Sequence, residues 1–219
     1  TGKALTVSGV TAANKVYDGS TTATLSTASA SLVGVVSGDT VTLVTSGVAG
    51  AFNTANIGTS KTVTVSGLTL SGTNAGDYTL TQPTTTADIT GKVLTVSGVT
   101  AANKVYDGST TATLSTASAS LVGVVNGDTV TLVTNSAAGA FANASIGTGK
   151  TVTVSGLTIS GANAGDYTLT QPTTTADITG KALTVSGVTA ANKVYDGSTT
   201  ATLSTASASL VGVVSGDTV

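Results

Sequence analysis

Six residue types that carry much of protein chemistry are missing from this 219-residue chain: cysteine, methionine, tryptophan, histidine, arginine and glutamate. Without cysteine and histidine, ordinary zinc, haem and iron–sulfur sites, a thiol nucleophile and a histidine general base are excluded. The eight basic residues are all lysine and the ten acidic residues are all aspartate, which gives a net charge of −2. Without arginine, the chain also lacks the usual footprint of a nucleic-acid-binding protein. We therefore predict no enzyme, no catalytic residue and no nucleic-acid partner.

Charged and aromatic residues are also scarce, at 8% and 3% of the chain, whereas 40% of residues are hydrophobic. Most of the hydrophobic residues are valine, leucine, alanine and isoleucine, interleaved with threonine and serine. That mixture favours half-buried β-strands and argues against disorder, which combines low hydrophobicity with high net charge. No apolar run approaches the ~20 residues of a membrane helix, so no membrane insertion is predicted.

What the chain does contain is a long internal repeat. The segment that starts at Gly2 recurs at Gly91 and again at Gly180, so each copy begins 89 residues after the previous one (91 − 2 and 180 − 91). This period exceeds the ~20–50 residues of solenoid units and suits a small domain with its own core. We predict repeat 1 over residues 1–90, repeat 2 over 91–179 and an incomplete repeat 3 over 180–219, as a fragment of a longer array.

Within one repeat the pattern is strands and turns. Residues 5–10 and 61–70 alternate between apolar and polar side chains, and Asn126-Gly127-Asp128 between two valine-rich runs predicts a hairpin. About seven short strands in one repeat is typical of an immunoglobulin-like sandwich. We therefore predict an all-β chain of tandem immunoglobulin-like β-sandwiches arranged end to end. A parallel β-solenoid is the alternative, although the spacing of the recurring Thr-Val-Ser-Gly at Thr6 and Thr64 does not divide the period.

Two tyrosines sharpen the sandwich prediction. Tyr78 follows Gly76-Asp77 at the start of a predicted strand, which is typical of a tyrosine corner, where the hydroxyl bonds to nearby backbone. Tyr167 occupies the same place in repeat 2. The join between the repeats, around Gly91, has no flexible spacer, so consecutive domains are expected to be held end to end.

The segment Asn14-Lys15-Val16-Tyr17-Asp18-Gly19, repeated at Asn103 and Asn192, resembles the YDG repeat and related mostly-β glycine-rich repeats. The resemblance implies tandem β-sandwich stalk domains of very long secreted bacterial surface proteins. Many of these are filamentous-haemagglutinin-like adhesins exported by two-partner secretion. It also implies an extracellular location, on the bacterial surface or in a secreted matrix, and it supplies no catalytic residue.

We predict an architectural role for the recurring motif and for the two corner tyrosines. A glycan or host-protein contact, displayed once per repeat, is the alternative for the motif. The residues predicted to be structural are Tyr17, Asp18, Gly19, Tyr106, Asp107, Gly108, Tyr195, Asp196, Gly197, Tyr78 and Tyr167.

Aspartates near the repeat junction are weak candidates for calcium ligands, because calcium often stiffens junctions between extracellular β-domains. Asp88 lies at the junction and Asp77 in the loop before Tyr78, with Asp177 and Asp166 as their counterparts in repeat 2. No clustered aspartate motif supports them, and aspartate beside glycine is an ordinary turn former. No other cofactor is predicted.

The sequence as a whole therefore predicts a structural protein. Its expected role is a stalk segment of a secreted bacterial surface adhesin or biofilm matrix filament, which acts as a repetitive rigid spacer. A mean hydropathy of +0.38 and a low net charge favour lateral or end-to-end association with other copies. The alternative function is a repeat module that binds surface glycans or a host protein.

Overall fold

The computed structural model describes the whole chain, Thr1–Val219, and it is almost entirely β-structure. The prediction of an all-β protein is thus confirmed. The only helical segments are two short 3₁₀ helices, Ala75–Asp77 and Ala164–Asp166. No helix is long and apolar enough to cross a membrane.

The first repeat contains twelve strands, more and shorter than the seven predicted. They are β1 (Lys3–Ser8), β2 (Thr11–Ala12), β3 (Lys15–Val16), β4 (Thr22–Ala23), β5 (Leu25–Ser26), β6 (Ser31–Val33), β7 (Thr42–Val44), β8 (Ala49–Phe52), β9 (Gly58–Ser66), β10 (Thr69–Ser71), β11 (Tyr78–Leu80) and β12 (Thr84–Thr90).

The second repeat has the same strands in the same order. They are β13 (Lys92–Ser97), β14 (Thr100–Ala101), β15 (Lys104–Val105), β16 (Thr111–Ala112), β17 (Leu114–Ser115), β18 (Ser120–Val122), β19 (Thr131–Val133), β20 (Ala138–Phe141), β21 (Gly147–Ser155), β22 (Thr158–Ser160), β23 (Tyr167–Leu169) and β24 (Thr173–Thr179). The third repeat contributes β25 (Thr184–Ser186), β26 (Thr189–Ala190), β27 (Leu203–Ser204) and β28 (Ser209–Val211).

The largest sheet of each complete repeat has five strands and is nearly closed into a barrel. In repeat 1 the order is β3-β12-β9-β8-β4, and in repeat 2 it is β15-β24-β21-β20-β16. The central strand β9 pairs antiparallel with both neighbours, β8 and β12. The outer strands β3 and β4 are separated by only five residues in sequence, which brings the two edges of the sheet together.

Smaller sheets cover the rest of the first repeat. β1 pairs parallel with β11 and antiparallel with β6, while β7 pairs with β10 and β2 with β5. The hairpin predicted around Asn126-Gly127-Asp128, which corresponds to Ser37-Gly38-Asp39 in repeat 1, is therefore wrong. The turn itself forms, with the Asp39 N–H donating to the Val36 carbonyl at 3.1 Å. Its two flanking strands, however, join different sheets, so the turn carries the chain from one sheet to another.

The chain divides into two compact units that each combine residues of more than one repeat. Unit 1 contains Thr1–Thr95, Leu121–Leu132 and Ile159–Thr170, and unit 2 contains Val96–Ser120, Val133–Thr158 and Gln171–Val219. The sequence period therefore marks the repeat, whereas the packing groups parts of neighbouring repeats.

One face of β9 serves two hydrophobic cores inside unit 1. Its valines alternate with exposed threonines, and both Val63 and Val65 are fully buried. Val65 lies in a core made only of repeat 1, with Val7, Val10 and Leu68. Val63 lies in a second core that contains Tyr17 and Phe52 of repeat 1 and also Leu94 and Tyr167 of repeat 2. This second core brings the Tyr17-Asp18-Gly19 motif into contact with the following repeat.

Candidate interface between consecutive repeats

The Tyr17-Asp18-Gly19 motif forms a tight turn directly after β3. The Asp18 carboxylate accepts a hydrogen bond from the Ser20 N–H at 2.8 Å, which is the usual way in which aspartate closes a turn on its own backbone. Gly19 follows with φ of +77°, a conformation that is unfavourable for residues with a Cβ. The Lys15 ammonium donates to the Asp18 carboxylate at 2.7 Å and holds the pKa of that carboxyl below its usual value.

Lys15 also links the two edges of the nearly closed five-stranded sheet. Its Nζ donates to the backbone carbonyls of Ser20 at 2.8 Å and Thr22 at 3.1 Å, so an amine on β3 reaches β4. The same amine lies 5.7 Å from the centre of the Phe52 ring, within range of a cation–π interaction. The sequence analysis did not identify this role, although a lysine stands two residues before the tyrosine in every repeat.

The Tyr17 side chain extends from this turn into the core formed by residues of both repeats. Only 3% of Tyr17 is exposed. Its ring packs edge-on against the ring of Tyr167, with centroids 5.3 Å apart and planes at 74°. This T-shaped geometry is the favourable one for two aromatic rings. The two predicted structural tyrosines are therefore brought together, one from each repeat.

Both phenols donate to one carboxylate. The Tyr17 hydroxyl donates to Asp128 Oδ2 at 3.0 Å, and the Tyr167 hydroxyl donates to the same oxygen. The Val125 N–H in turn donates to the Tyr167 hydroxyl at 2.9 Å. The loop that carries Val125 and Asp128 thus supplies a donor and an acceptor to the tyrosine pair, and neither residue was singled out as a site residue from the sequence.

Burial and hydrogen bonding keep both tyrosines in their neutral form. Burial and the bond to Asp128 raise the pKa of Tyr17 to about 12, because a negative phenolate would be poorly solvated and would repel the carboxylate. The same two causes raise the pKa of Tyr167. At neutral pH both hydroxyls are therefore donors, as the shared carboxylate requires.

Asp166, one of the weak calcium candidates, lies beside this pair and is 95% buried, with 5% exposed. It ends the second 3₁₀ helix, and its carboxylate accepts a hydrogen bond from the Ile57 N–H at 2.9 Å. This backbone contact gives the buried carboxylate a hydrogen-bond donor within the protein. Asp166 therefore helps to seat the strand that begins at Tyr167 against repeat 1.

The other calcium candidates make contacts of their own. Asp88 accepts from the Ser60 N–H at 2.8 Å, and its counterpart Asp177 accepts from the Gly149 N–H at 2.7 Å. Asp77 ends the first 3₁₀ helix. Asp88 also accepts a hydrogen bond from the Asn14 side-chain amide at 3.5 Å. No group of three or more potential ligand side chains that could hold a metal ion is formed.

Tyr78 makes the hydroxyl contacts expected of a corner residue, but with a distant partner. The Val36 N–H donates to the Tyr78 hydroxyl at 3.0 Å, and the hydroxyl donates to Asp39. Val36 precedes Tyr78 by 42 residues, so the backbone contact is not the local one of a tyrosine corner. The partner loop is the repeat 1 copy of the loop that carries Val125 and Asp128.

Unit 2 contains a second copy of the motif with the same turn. Lys104 binds the Asp107 carboxylate at 2.6 Å, lowering its pKa to about 2, and Gly108 has φ of +78°. The Tyr106 hydroxyl donates to Asp217 at 3.0 Å, as Tyr17 does to Asp128. Tyr106 is only half-buried, however.

The third copy keeps the turn and exposes the ring. Lys193 binds Asp196 at 2.7 Å, and Gly197 has φ of +71°. Tyr195 is 92% exposed. The lysine–aspartate turn thus forms in all three repeats independently of what surrounds the tyrosine.

Comparison with known proteins gives one match. A family model described as YDG domain matches residues 1–87, 90–176 and 179–219, nearly the full chain. No curated protein and no solved structure matches the chain.

Proposed function

The chain belongs to the YDG domain family, and from that premise we propose that it is a structural spacer in a long extracellular bacterial fibre or surface adhesin. Each repeat is locked to the next by its tyrosines. The observation that carries this proposal is the Tyr17–Tyr167 pair on Asp128, because these contacts are buried and join two consecutive repeats.

A shared core is what a stiff spacer needs at its joints. Phe52 and Val63 of repeat 1 pack in one cluster with Leu94 and Tyr167 of repeat 2. Bending at this joint would expose apolar surface, at a cost of roughly 25 cal/mol for each Å². A Gly/Ser linker would resist bending only through chain entropy. The tyrosine interface therefore supports a spacer over a string of loosely tethered domains.

We propose a tandem β-sandwich as the architecture of this spacer. Support comes from the antiparallel pairing of β9 with β8 and β12 and from Val65, which faces the small sheets of its own repeat across a hydrophobic core. In this arrangement Val63 faces the next repeat. The sandwich therefore extends over the joint between repeats.

The aromatic side chains favour a spacer over a glycan- or protein-binding module. Binding sites commonly present exposed aromatic rings to a ligand. Here Tyr17, Tyr78, Tyr167, Phe52 and Phe141 are all buried. These five rings are used for internal packing, whereas Tyr106 is half-buried and Tyr195 is 92% exposed. No catalytic role is proposed for any residue.

The test is electron microscopy of arrays with three, five and seven repeats, in calcium and in EDTA. We expect straight single rods whose length grows by a constant step per repeat in both buffers. In arrays with every motif tyrosine changed to alanine, the joints should bend, whereas the matched threonine-to-alanine change at exposed Thr64 should leave the rods straight. Coiled or compact wild-type particles would contradict the spacer function.

Two further outcomes separate the alternatives. Rods that straighten only in calcium would assign Asp88 or Asp77 to a metal site. Binding of a two-repeat protein on a glycan array, together with flexible particles, would favour the adhesive module instead.

A further inference from the structure

The loop that binds the tyrosine pair contains a dipeptide that the equivalent loop of repeat 1 lacks. Between the Val125 N–H and the Asp128 carboxylate it reads Asn126-Gly127, whereas repeat 1 has Ser37-Gly38 at the same place. Asn126 is the only asparagine of the chain that precedes a glycine. Glycine has no Cβ to shield its backbone nitrogen. An asparagine side chain before glycine is therefore open to attack by that nitrogen.

The structure leaves the attacking nitrogen free. Asn126 and Gly127 are both exposed, and a Cβ built on Gly127 would meet no atom within 4 Å. The turn is closed by the Asp128 N–H, which donates to the Val125 carbonyl at 3.1 Å, and the Gly127 N–H donates no hydrogen bond. Attack on the Asn126 side chain thus breaks no hydrogen bond of the nitrogen and meets no neighbouring side chain.

Other asparagines are better protected. Asn135 provides the matched comparison, because it is also exposed and lies in a turn closed in the same way, by the Ala137 N–H donating to the Thr134 carbonyl at 3.0 Å. Serine follows it, however, in place of glycine. Most of the remaining asparagines hold their side-chain oxygen in a hydrogen bond, namely Asn14, Asn53, Asn74, Asn103, Asn143 and Asn163.

The Asp-Gly pair of each tyrosine motif could close the same ring, but its carboxylate is held as an anion. Asp18 accepts from the Lys15 ammonium at 2.7 Å and from the Ser20 N–H at 2.8 Å. Lysine binds Asp107 and Asp196 in the same way. A carboxylate must be protonated before it can lose an oxygen as water, and the ion pair opposes that protonation. The motif lysine therefore protects its own turn, whereas Asn126 has no such protection.

We propose that Asn126-Gly127 is a site of spontaneous deamidation, and that its product loosens the tyrosine pair that joins repeats 1 and 2. The Gly127 nitrogen bonds to Asn126 Cγ, the bond from Cγ to Nδ2 breaks, and the side-chain nitrogen leaves as ammonia with the proton that the Gly127 nitrogen gives up. Water then opens the cyclic imide. Addition at Cγ gives aspartate, and addition at the backbone carbonyl carbon gives isoaspartate, in which the main chain runs through Cγ.

Isoaspartate changes the spacing of the two groups that hold the phenols. It inserts an extra main-chain carbon between the Val125 N–H, which donates to the Tyr167 hydroxyl, and Asp128, which accepts from Tyr17 and Tyr167. The loop can then no longer keep both groups in place. The new carboxylate also lies two residues from Asp128, and like charges repel. The deamidation itself is independent of the spacer function, whereas its effect on the stiffness of the joint rests on that function and deepens it.

The test is peptide mapping by mass spectrometry of the 219-residue chain after storage at mildly alkaline pH. We expect conversion at Asn126, seen as a mass gain of about 1 Da and as a separate isoaspartate peak in chromatography. Conversion should be at least about tenfold faster than at Asn135, since only Asn126 is followed by a residue without a Cβ. Asn126→Ser, which introduces the residue of repeat 1, should show no conversion in this turn.

Amide hydrogen exchange measures the effect on the joint. In stored wild-type chain, amides of β9 should exchange about tenfold faster in the fraction that carries isoaspartate, because Val63 shares a core with Tyr17 and Tyr167. Strand β21 belongs to unit 2 and should be unchanged. Stored Asn126→Ser should exchange as the fresh protein does. Asn126→Asp adds the charge without the extra carbon, so its increase should be smaller.

Equal conversion at Asn126 and Asn135, or none at Asn126, would overturn the proposal. Isoaspartate at Asn126 with unchanged exchange in β9 would also overturn it. In each of these cases, arrays whose rods stay straight and lengthen by a constant step per repeat would leave the spacer function intact, so the two failures are distinguishable.

Discussion

The Tyr17 and Tyr106 sites share their turn and their hydroxyl contact and differ in what packs against the ring. Each hydroxyl donates to a loop aspartate at 3.0 Å, and each follows a lysine-bound Asp-Gly turn. Tyr17 also packs against Tyr167 and is 3% exposed, whereas Tyr106 is half-buried. The turn and the hydroxyl bond therefore belong to the motif and its loop. The burial comes from the second tyrosine.

The main cause of the raised pKa also differs between Tyr17 and Tyr106. Burial is the main cause at Tyr17, where the pKa rises to about 12. At Tyr106 the hydrogen bond to Asp217 is the main cause of a raised pKa, and burial is second. Tyr195, with the same turn and 92% exposure, extends the comparison to a third state. Within these 219 residues, the three copies of the motif thus differ in burial while their local sequence stays the same.

The largest expected effect on stability comes from removing the ring of the motif tyrosine. We expect Tyr17→Ala to lower the free energy of unfolding of unit 1 by about 3–5 kcal/mol, as for other large core aromatics. Tyr106→Ala should cost unit 2 about 1–2 kcal/mol, and Tyr195→Ala should stay within about 0.5 kcal/mol of wild type. Amide hydrogen exchange in β9 and β21 measures each unit separately. Equal losses at Tyr17 and Tyr195 would contradict the assignment of burial to Tyr167.

The next effect concerns the loop carboxylates. Asp128 accepts from two tyrosines and Asp217 from one. We therefore expect Asp128→Asn to cost about 2–3 kcal/mol and Asp217→Asn about 1 kcal/mol in urea unfolding, because an amide replaces one acceptor by a donor that faces a hydroxyl. A double-mutant cycle with Tyr17→Phe should show coupling to Asp128, and additive losses there would speak against a shared carboxylate.

Much of the first repeat could be predicted from alternation alone. β1, β9 and β12 lie where apolar and polar residues alternate, and the Asp18-Gly19 turn follows from its two residue types. The partner of Tyr17 could not be predicted. Asp39 and Asp128 stand in nearly identical loops 89 residues apart, and Tyr17 binds the one that lies 111 residues away. When repeats are nearly identical, sequence cannot distinguish contacts within a repeat from contacts to the next.

The hairpin prediction is wrong because it also depends on long-range contacts that the sequence does not specify. The Gly-Asp turn was recognised correctly, but the destination of its second strand depends on long-range packing. Lys15 is a different case. Its recurrence two residues before each motif tyrosine can be read from the sequence, but its contact with the Thr22 carbonyl on β4 depends on the curvature of the sheet.

A smaller effect is expected in alkali. The neutral Tyr17 phenol is the bonded form, and its pKa of about 12 in the folded chain exceeds the value of ~10 in an unfolded chain. Its contribution to stability is therefore complete below pH ~10 and is lost as the pH rises through about 12. Absorbance at 295 nm should show several late-titrating tyrosines, since the pKa values of Tyr167 and Tyr106 are raised as well, and their number should fall by one in Tyr17→Phe. A titration unchanged by that substitution would be incompatible with this assignment.

The smallest difference between the two sites is expected at the glycines. Gly19 and Gly108 have φ of +77° and +78°, and a Cβ at either would lie 3.0 Å from a valine Cγ1, of Val125 or Val214. Gly19→Ala and Gly108→Ala should therefore each cost about 1–2 kcal/mol from the backbone strain, and nearly the same amount. A clear inequality in thermal unfolding would mean that Tyr167 also constrains the turn.

Strand β9 contributes Val65 to the core of its own repeat and Val63 to the core shared with the following repeat. This arrangement has a consequence for how such a chain folds. A repeat that emerges from its N-terminus onward can complete the core around Val65 by itself, but Tyr17 must wait until Tyr167 has appeared. Contacts of such long sequence separation form slowly. Each newly made repeat therefore supplies the side chains with which the preceding repeat completes its second core.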